Sequence, residues 1–173
     1  SSLVSLDLSN WDMRKVITMT SMFRMSTSLT NLNLNFAYST ESLTNIPNMF
    51  DGCYSLVSLD LSNLDARKVV NMAAMFLGCT SLTDLNLNFP YTTESLTNMA
   101  NVFNGCSELL SIDLSKFNTS KVADFGGLFS NCKKLISLDL SNFNTNSLTS
   151  LRETFMNCES LESLDINHFN ANQ

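Results

Sequence analysis

The stretch FDGCYSLVSLDLS, residues Phe50 to Ser62, decides the fold because near copies of it recur along the chain. The other copies begin at Phe23, Phe76, Phe103, Phe129 and Phe155, the first of them being the weakest. The first leucines of successive copies lie 26 or 27 residues apart. A fixed period of this length is typical of proteins whose repeats bury their apolar sides only against one another. The sequence therefore predicts a stack of repeats.

The period divides the chain into about six and a half repeats within a single domain, residues 1–173. The predicted repeats are 2–27, 28–54, 55–80, 81–107, 108–133, 134–159 and the partial repeat 160–173. A longer period of 53 residues lies on top, since RKV at Arg14 recurs at Arg67 and TESLTN at Thr40 recurs at Thr93. Residues 2–54 and 55–107 thus have the pattern of a duplicated repeat pair.

Each repeat is expected to contain one short strand and one short helix. Leu59 and Leu61 alternate with Ser58 and Asp60, which predicts a strand with one buried and one solvent-facing side. Asn71 then precedes apolar residues at helical spacing, which predicts an N-capped helix of one or two turns. Gly or Asn two residues after each later Phe is typical of a left-handed residue that ends a helix.

The fold expected from these elements is α/β. Stacked strands would form a parallel sheet on one face, and the short helices would lie on the other face. Connections between parallel strands of one sheet are nearly always right-handed, so we expect a right-handed solenoid.

The unit SLxSLDLSNF, followed by MxxMF and GCxSL, resembles the BspA-like leucine-rich repeat family, in the branch common in bacterial and mycoplasma surface proteins. The resemblance covers Leu3 to Phe169 and implies a leucine-rich-repeat solenoid, exposure at the cell surface, and adhesion to host matrix or neighbouring cells. Ordinary leucine-rich repeats carry a buried Asn after the last strand leucine, whereas this chain has apolar residues there. These are Trp11, Phe36, Leu64, Phe89, Phe117, Phe143 and Phe169.

Composition excludes several classes of function. A formal charge of −6 disfavours sequence-independent binding to nucleic acid, which needs a basic surface, and disfavours anionic membranes. No apolar run is long enough for insertion into a membrane, and the first residues lack the features of a signal peptide. Because the chain begins and ends in mid-pattern, we expect a fragment of a cell-surface or extracellular protein that lacks its signal peptide and anchor.

The five cysteines occupy one position of the repeat: Cys53, Cys79, Cys106, Cys132 and Cys158. Paired spacings with a nearby histidine, typical of a metal site, are absent, so no cofactor is expected. Neighbouring coils would bring the cysteines within bridging range, which leaves disulfides open. An odd number of thiols pointing the same way favours instead a buried, reduced ladder.

The solvent-facing side of the predicted sheet holds the candidate ligand-binding residues. They are Asp7, Asp60, Asp84, Asp113, Asp139, Asp165, Ser58, Ser111 and Ser137. Repeated carboxylates repel one another, so Asp113, Asp139 and Asp165 would be the ligands if calcium binds. Plain solvation of the face is the alternative. Tyr38 and Tyr91, in the longer loops, are candidate aromatic contacts, or they cover the edge of the core.

No catalytic residues are predicted, because a catalytic pair of acids needs two unlike environments and a ladder repeats one. His168 lacks a recognisable partner and is interpreted as a surface residue. The leading hypothesis is a non-catalytic adhesion module that recognises a protein or glycan partner on host or neighbouring cells. The alternatives are a structural protein with end-to-end self-association and, less favoured, a calcium-binding surface domain.

Overall fold

A computed structural model describes residues 2–170; the last part of the predicted repeat 160–173 lies outside the described residues. Its strands are β1 (Ser5–Asp7), β2 (Asn31–Asn33), β3 (Ser58–Asp60) and β4 (Asp84–Asn86). β1 pairs with β2 and β3 pairs with β4, both parallel and in register. The paired residues are equivalent positions of neighbouring repeats. Parallel strands are therefore confirmed, and right-handed winding and the repeat boundaries stay predictions.

The expectation of one continuous sheet is wrong for the described residues. They form two separate two-stranded sheets, with an isolated parallel bridge between Ser137 and Ser163 further along. The strands are short because the residue that ends each one turns its side chain back to the backbone. The Asp60 carboxylate, for example, accepts a hydrogen bond from the amide of Ser62 at 2.9 Å, which closes a turn immediately after β3.

The predicted short helices are also wrong, since residues 2–170 contain turns where helices were expected. Alternate amides in these segments donate to the next repeat and not along a helix. The amide of Ser21 donates to the Pro47 carbonyl at 3.0 Å, and that of Phe23 donates to the Met49 carbonyl at 2.9 Å. Ser21 also has a φ of 55°, which a right-handed helix cannot accommodate.

Each of these turn segments contains two left-handed residues, four positions apart. The second one was predicted from sequence and is confirmed, with a φ of 72° at Gly52 and 60° at Asn131. The first one was missed, because residues of very different kinds occupy it: Ser21, Asn48, Ala74, Asn101, Gly127 and Glu153. The predicted N-cap hydrogen bond does form, since Asn71 Oδ1 accepts from the amide of Ala73 at 2.9 Å. The segment that follows it is a turn and not a helix.

The core is built from side-chain ladders that run across the repeats. One phenylalanine per repeat stacks on its neighbours with ring centroids 5.4 to 5.8 Å apart and planes within 8° of parallel. The stack contains Phe23, Phe50, Phe76, Phe103, Phe129 and Phe155. Parallel rings at this separation are offset rather than directly superposed, which is a favoured aromatic arrangement.

The cysteine ladder lies beside the phenylalanine stack. Each thiol donates to the carbonyl oxygen of a stacked phenylalanine in the preceding repeat, as Cys53 Sγ does to Phe23 at 3.2 Å and Cys132 Sγ does to Phe103 at 3.1 Å. All five thiols are free, four are buried and Cys158 is half-buried. Burial raises the pKa of Cys53 to about 11 and that of Cys132 to about 12.

The apolar residues that replace the usual Asn are buried at Phe36, Leu64, Phe89, Phe117 and Phe143. Trp11 departs from this expectation and is 51% exposed, because no described repeat precedes it to cover the indole. Phe169 is partly buried against the core. Among the described residues, no helix has the length and apolar character needed to cross a bilayer.

Substitutions at the two left-handed positions should affect the free energy of unfolding in different ways. Replacing Ala74 by Gly removes a strained alanine and should leave the free energy of unfolding unchanged or raise it by up to about 1 kcal/mol. Gly78→Ala should lower it by about 1 kcal/mol or more, because alanine is strained at a positive φ. A steric clash does not add to this loss, since the added Cβ would meet Tyr54 Cε1 at an ordinary 3.5 Å. Urea unfolding of both variants measures the difference; equal destabilisation would contradict the assigned conformations.

Thiol reactivity should follow depth in the ladder. At pH 8 an alkylating reagent should modify Cys158 first, because the other four thiols are buried and the thiolate is the reactive form. Mass spectrometry after timed labelling of the folded protein would locate the modified residue. Labelling of Cys106 as fast as Cys158 would contradict the packing, and five labelled thiols are expected after unfolding.

Candidate functional site

The predicted outward residues of the strands do lie on the surface. All nine candidates are exposed, and three of them, Ser58, Asp60 and Asp84, line one depression of about 560 Å³ on β2, β3 and β4. Asp113 and Asp139 share a smaller depression of about 140 Å³. The structure thus brings Ser58, Asp60 and Asp84 together in one depression, and Asp113 and Asp139 in another. The other candidates line neither depression: Asp7, Ser111, Ser137 and Asp165.

A structural role for the aspartates was missed in the sequence. At the last position of each strand or its equivalent, an Asp or Asn oxygen accepts from the amide two residues later at 2.8 to 3.0 Å. The residues are Asp7, Asn33, Asp60, Asn86, Asp113, Asp139 and Asp165. The free exchange of Asp with Asn at this position was the available signal, because an amide oxygen accepts this bond as well as a carboxylate does.

These hydrogen bonds lower the pKa of several of the carboxyl groups. The amide of Ser9 lowers the pKa of Asp7, and the amide of Ser115 lowers the pKa of Asp113. Asp139 also has a lowered pKa, chiefly through its hydrogen bond to the Ser141 side chain. The face therefore carries negative charge at neutral pH, although one oxygen of each carboxylate already has a backbone partner.

The calcium hypothesis for Asp113, Asp139 and Asp165 gains no support from the geometry. Within residues 2–170, no group of three or more His, Cys, Asp or Glu side chains is arranged to hold a metal ion. Each of these three carboxylates is directed to the amide two residues further on. Ladder spacing alone does not make the carboxylates converge.

The loops with Tyr38 and Tyr91 form a second feature at the edge of the sheet. The Arg14 guanidinium lies 4.3 Å from the centre of the Tyr38 ring, and that of Arg67 lies 3.8 Å from the centre of the Tyr91 ring. A groove of about 360 Å³ lies between the two loops. Both tyrosines are about half exposed, at 50% and 48%, so they are available for contact with a ligand.

Each arginine is itself fixed by an aspartate two residues before it. Arg14 makes two hydrogen bonds to Asp12, at 2.9 and 2.6 Å, and lowers the pKa of that carboxyl to about 2. Arg67 binds Asp65 in the same way, at 3.0 and 2.7 Å. The sequence showed both RKV and both tyrosines at a spacing of 53 residues, but their pairing depends on how the repeats stack.

Buried threonines connect these loops to the following repeat. Thr40 is 1% exposed, and its hydroxyl oxygen accepts from the Asp65 amide at 2.8 Å. Thr93 is fully buried and accepts from the Asn118 amide at 3.0 Å.

His168, interpreted as a surface residue, is exposed, with Nε2 placed 3.0 Å from the Leu140 carbonyl oxygen.

Two substitutions of Asp113 should distinguish its role as the hydrogen-bond acceptor of the turn from the effect of its negative charge. Asp113→Asn keeps the acceptor and should leave the free energy of unfolding at pH 7 within about 0.5 kcal/mol, whereas Asp113→Ala should lower it by about 1 kcal/mol. Because the folded-state pKa lies below 3.8, the carboxylate stabilises the fold above about pH 4, and this contribution is lost as the pH falls through the folded-state pKa. Asp113→Asn should therefore lose less stability on acidification.

Denaturant unfolding at pH 7 and at pH 3 checks both statements. Equal destabilisation by the Asn and Ala substitutions at pH 7 would show that the turn does not depend on the acceptor.

Solved structures with a related chain path come from two bacteria. The leucine-rich repeat protein of T. pallidum is 20% identical, with a TM-score of 0.50, and the match covers 93% of this chain and 79% of that one. A leucine-rich repeat protein of Bacteroides ovatus is 21% identical, with a TM-score of 0.38, over 79% of this chain and 43% of that one. The first likeness identifies a leucine-rich-repeat fold. No curated protein matches the chain.

The family described as "Mycoplasma protein of unknown function, DUF285" matches residues 1–108 and 86–173, which together span the whole chain. This match and the leucine-rich-repeat fold of the T. pallidum neighbour agree with the BspA-like resemblance seen in the repeat unit. The chain therefore belongs to the DUF285 family and is a repeat protein with a leucine-rich-repeat fold.

Proposed function

We propose that the chain is a non-catalytic binding module that recognises a protein or glycan partner through its strand face and the bordering loops. In this proposal it works at the cell surface in adhesion to host or neighbouring cells. The observation that carries it is the set of exposed hydroxyls of Ser58, Ser111 and Ser137, which make no hydrogen bond to other groups of residues 2–170. Unlike the aspartates beside them, these groups serve no internal contact.

The shape of the face supports a macromolecular partner. Equivalent positions recur along the stack, so polar groups are presented at regular intervals over an extended surface. The depression around Ser58, Asp60 and Asp84 is open and polar, in contrast to the mostly apolar clefts that enclose small molecules. Leucine-rich-repeat proteins are generally not enzymes, which agrees with a face that repeats a single chemical environment.

Self-assembly is the second candidate, and it rests on one apolar side chain in the first repeat. Trp11 is 51% exposed, although later residues at its position, such as Leu64, are buried. Association end to end would cover the indole. Light scattering over a range of protein concentrations distinguishes the candidates, because a monomer at every concentration contradicts self-assembly.

Obstruction of the face should weaken binding without loss of the fold. Ser58→Arg places a long side chain in the depression, and it should reduce binding to immobilised matrix proteins or glycans by about tenfold or more. The melting temperature should stay close to that of the unmodified protein, because Ser58 is exposed.

The matched control is Ser160→Arg, at an exposed serine in a turn outside the strand face. Binding by surface plasmon resonance should be unaffected by this second substitution. Unchanged binding of Ser58→Arg to every partner of the unmodified protein would refute the strand face as the binding surface.

A further inference from the structure

We propose that the groove between Tyr38 and Tyr91 binds a neutral sugar residue of a glycan. The inference rests on the proposed function and names one ligand class for it. The groove has a volume of about 360 Å³, near the lower end of the range for ligand pockets, which suits one or two sugar rings. Its walls combine the aromatic rings of both tyrosines with Pro90, Ser62 and Asn63.

The tyrosine rings are held in place before any ligand arrives. Each has an arginine over one face, and that arginine is fixed by two hydrogen bonds to its aspartate. Such paired hydrogen bonds set the plane of the guanidinium, and the cation–π contact then orients the ring. Binding to prearranged rings loses less conformational entropy than binding to mobile ones.

The fold does not require this Asp–Arg–Tyr arrangement. In later repeats Asn118 and Ser120 take the places of Asp65 and Arg67. Asn118 Oδ1 accepts from the Ser120 amide at 3.1 Å, and Asp65 Oδ1 accepts from the Arg67 amide at 3.2 Å. The same turn therefore forms without arginine, so the arginines and tyrosines are additions that the turn itself does not explain.

The chemistry of the groove matches a neutral sugar. A sugar ring presents an apolar C–H face, which packs on an aromatic ring, and hydroxyl groups, which bond to amides and hydroxyls such as those of Asn63 and Ser62. The nearby charges are already paired, since Arg67 occupies both oxygens of Asp65. Asp65 itself lines the groove, and this carboxylate disfavours an acidic sugar.

The test uses lactose, cellobiose, N-acetyllactosamine and sialyllactose as probes, with affinities measured by isothermal titration calorimetry. We expect binding of at least one neutral disaccharide and weaker binding of sialyllactose. Tyr38→Ala and Tyr91→Ala should each weaken that binding by about tenfold or more. Tyr91→Phe should retain it, because the ring face remains.

Tyr54→Ala is the matched control, since Tyr54 is similarly exposed at 44% and lies outside the lining of the groove. Its affinity should equal that of the unmodified protein, and circular dichroism should show that all variants are folded. Absence of binding to all four probes, or equal loss in Tyr54→Ala and Tyr91→Ala, overturns the sugar site. The proposed function survives that result if a protein or larger glycan still binds and Ser58→Arg weakens its binding.

Discussion

Hydrogen bonds between equivalent backbone positions of neighbouring repeats are the constraint on which the structure depends. Alternate amides from Met19 to Met25 donate to carbonyls in the following repeat at 2.7 to 3.0 Å, so each coil must repeat the path of the one before it. Identical side chains are then brought into contact, which produces the phenylalanine stack and the cysteine ladder. The same bonds occupy every second amide that a helix would use, and the segment is therefore built of turns.

The parts of the fold that follow from side-chain pattern were predictable from sequence. The repeat period, the parallel pairing, the buried leucines and the left-handed residue at Gly52 or Asn131 all have a residue type that fits one environment. The helices were mispredicted because Met72, Met75 and Phe76 have helical spacing, yet backbone bonding to the next repeat overrides that local preference. Trp11 was misplaced because burial depends on a covering neighbour as well as on residue type.

The candidate surface likewise has features that the sequence pattern predicts and features that depend on how the repeats stack. Exposure of Ser58, Asp60 and Asp84 followed from strand alternation, and their placement in one depression follows from register. The contact of Arg67 with Tyr91 joins residues 24 positions apart, so it depends on the relative placement of two coils and no local pattern indicates it. The sequence suggested only a charged role for the aspartates. Their hydrogen bonds show that the same side chain also closes the turn, a role that does not require the charge.

The interchange of Asp and Asn at the strand ends has a consequence for the evolution of this surface. Because Asn33 and Asn86 form the same turn as Asp60 and Asp113, each repeat can gain or lose a negative charge by a single substitution that preserves the coil. The electrostatic potential of the face can thus change in steps of one charge with little effect on stability at neutral pH. Substitutions that change this potential can therefore accumulate while the ladders beneath the face stay constant.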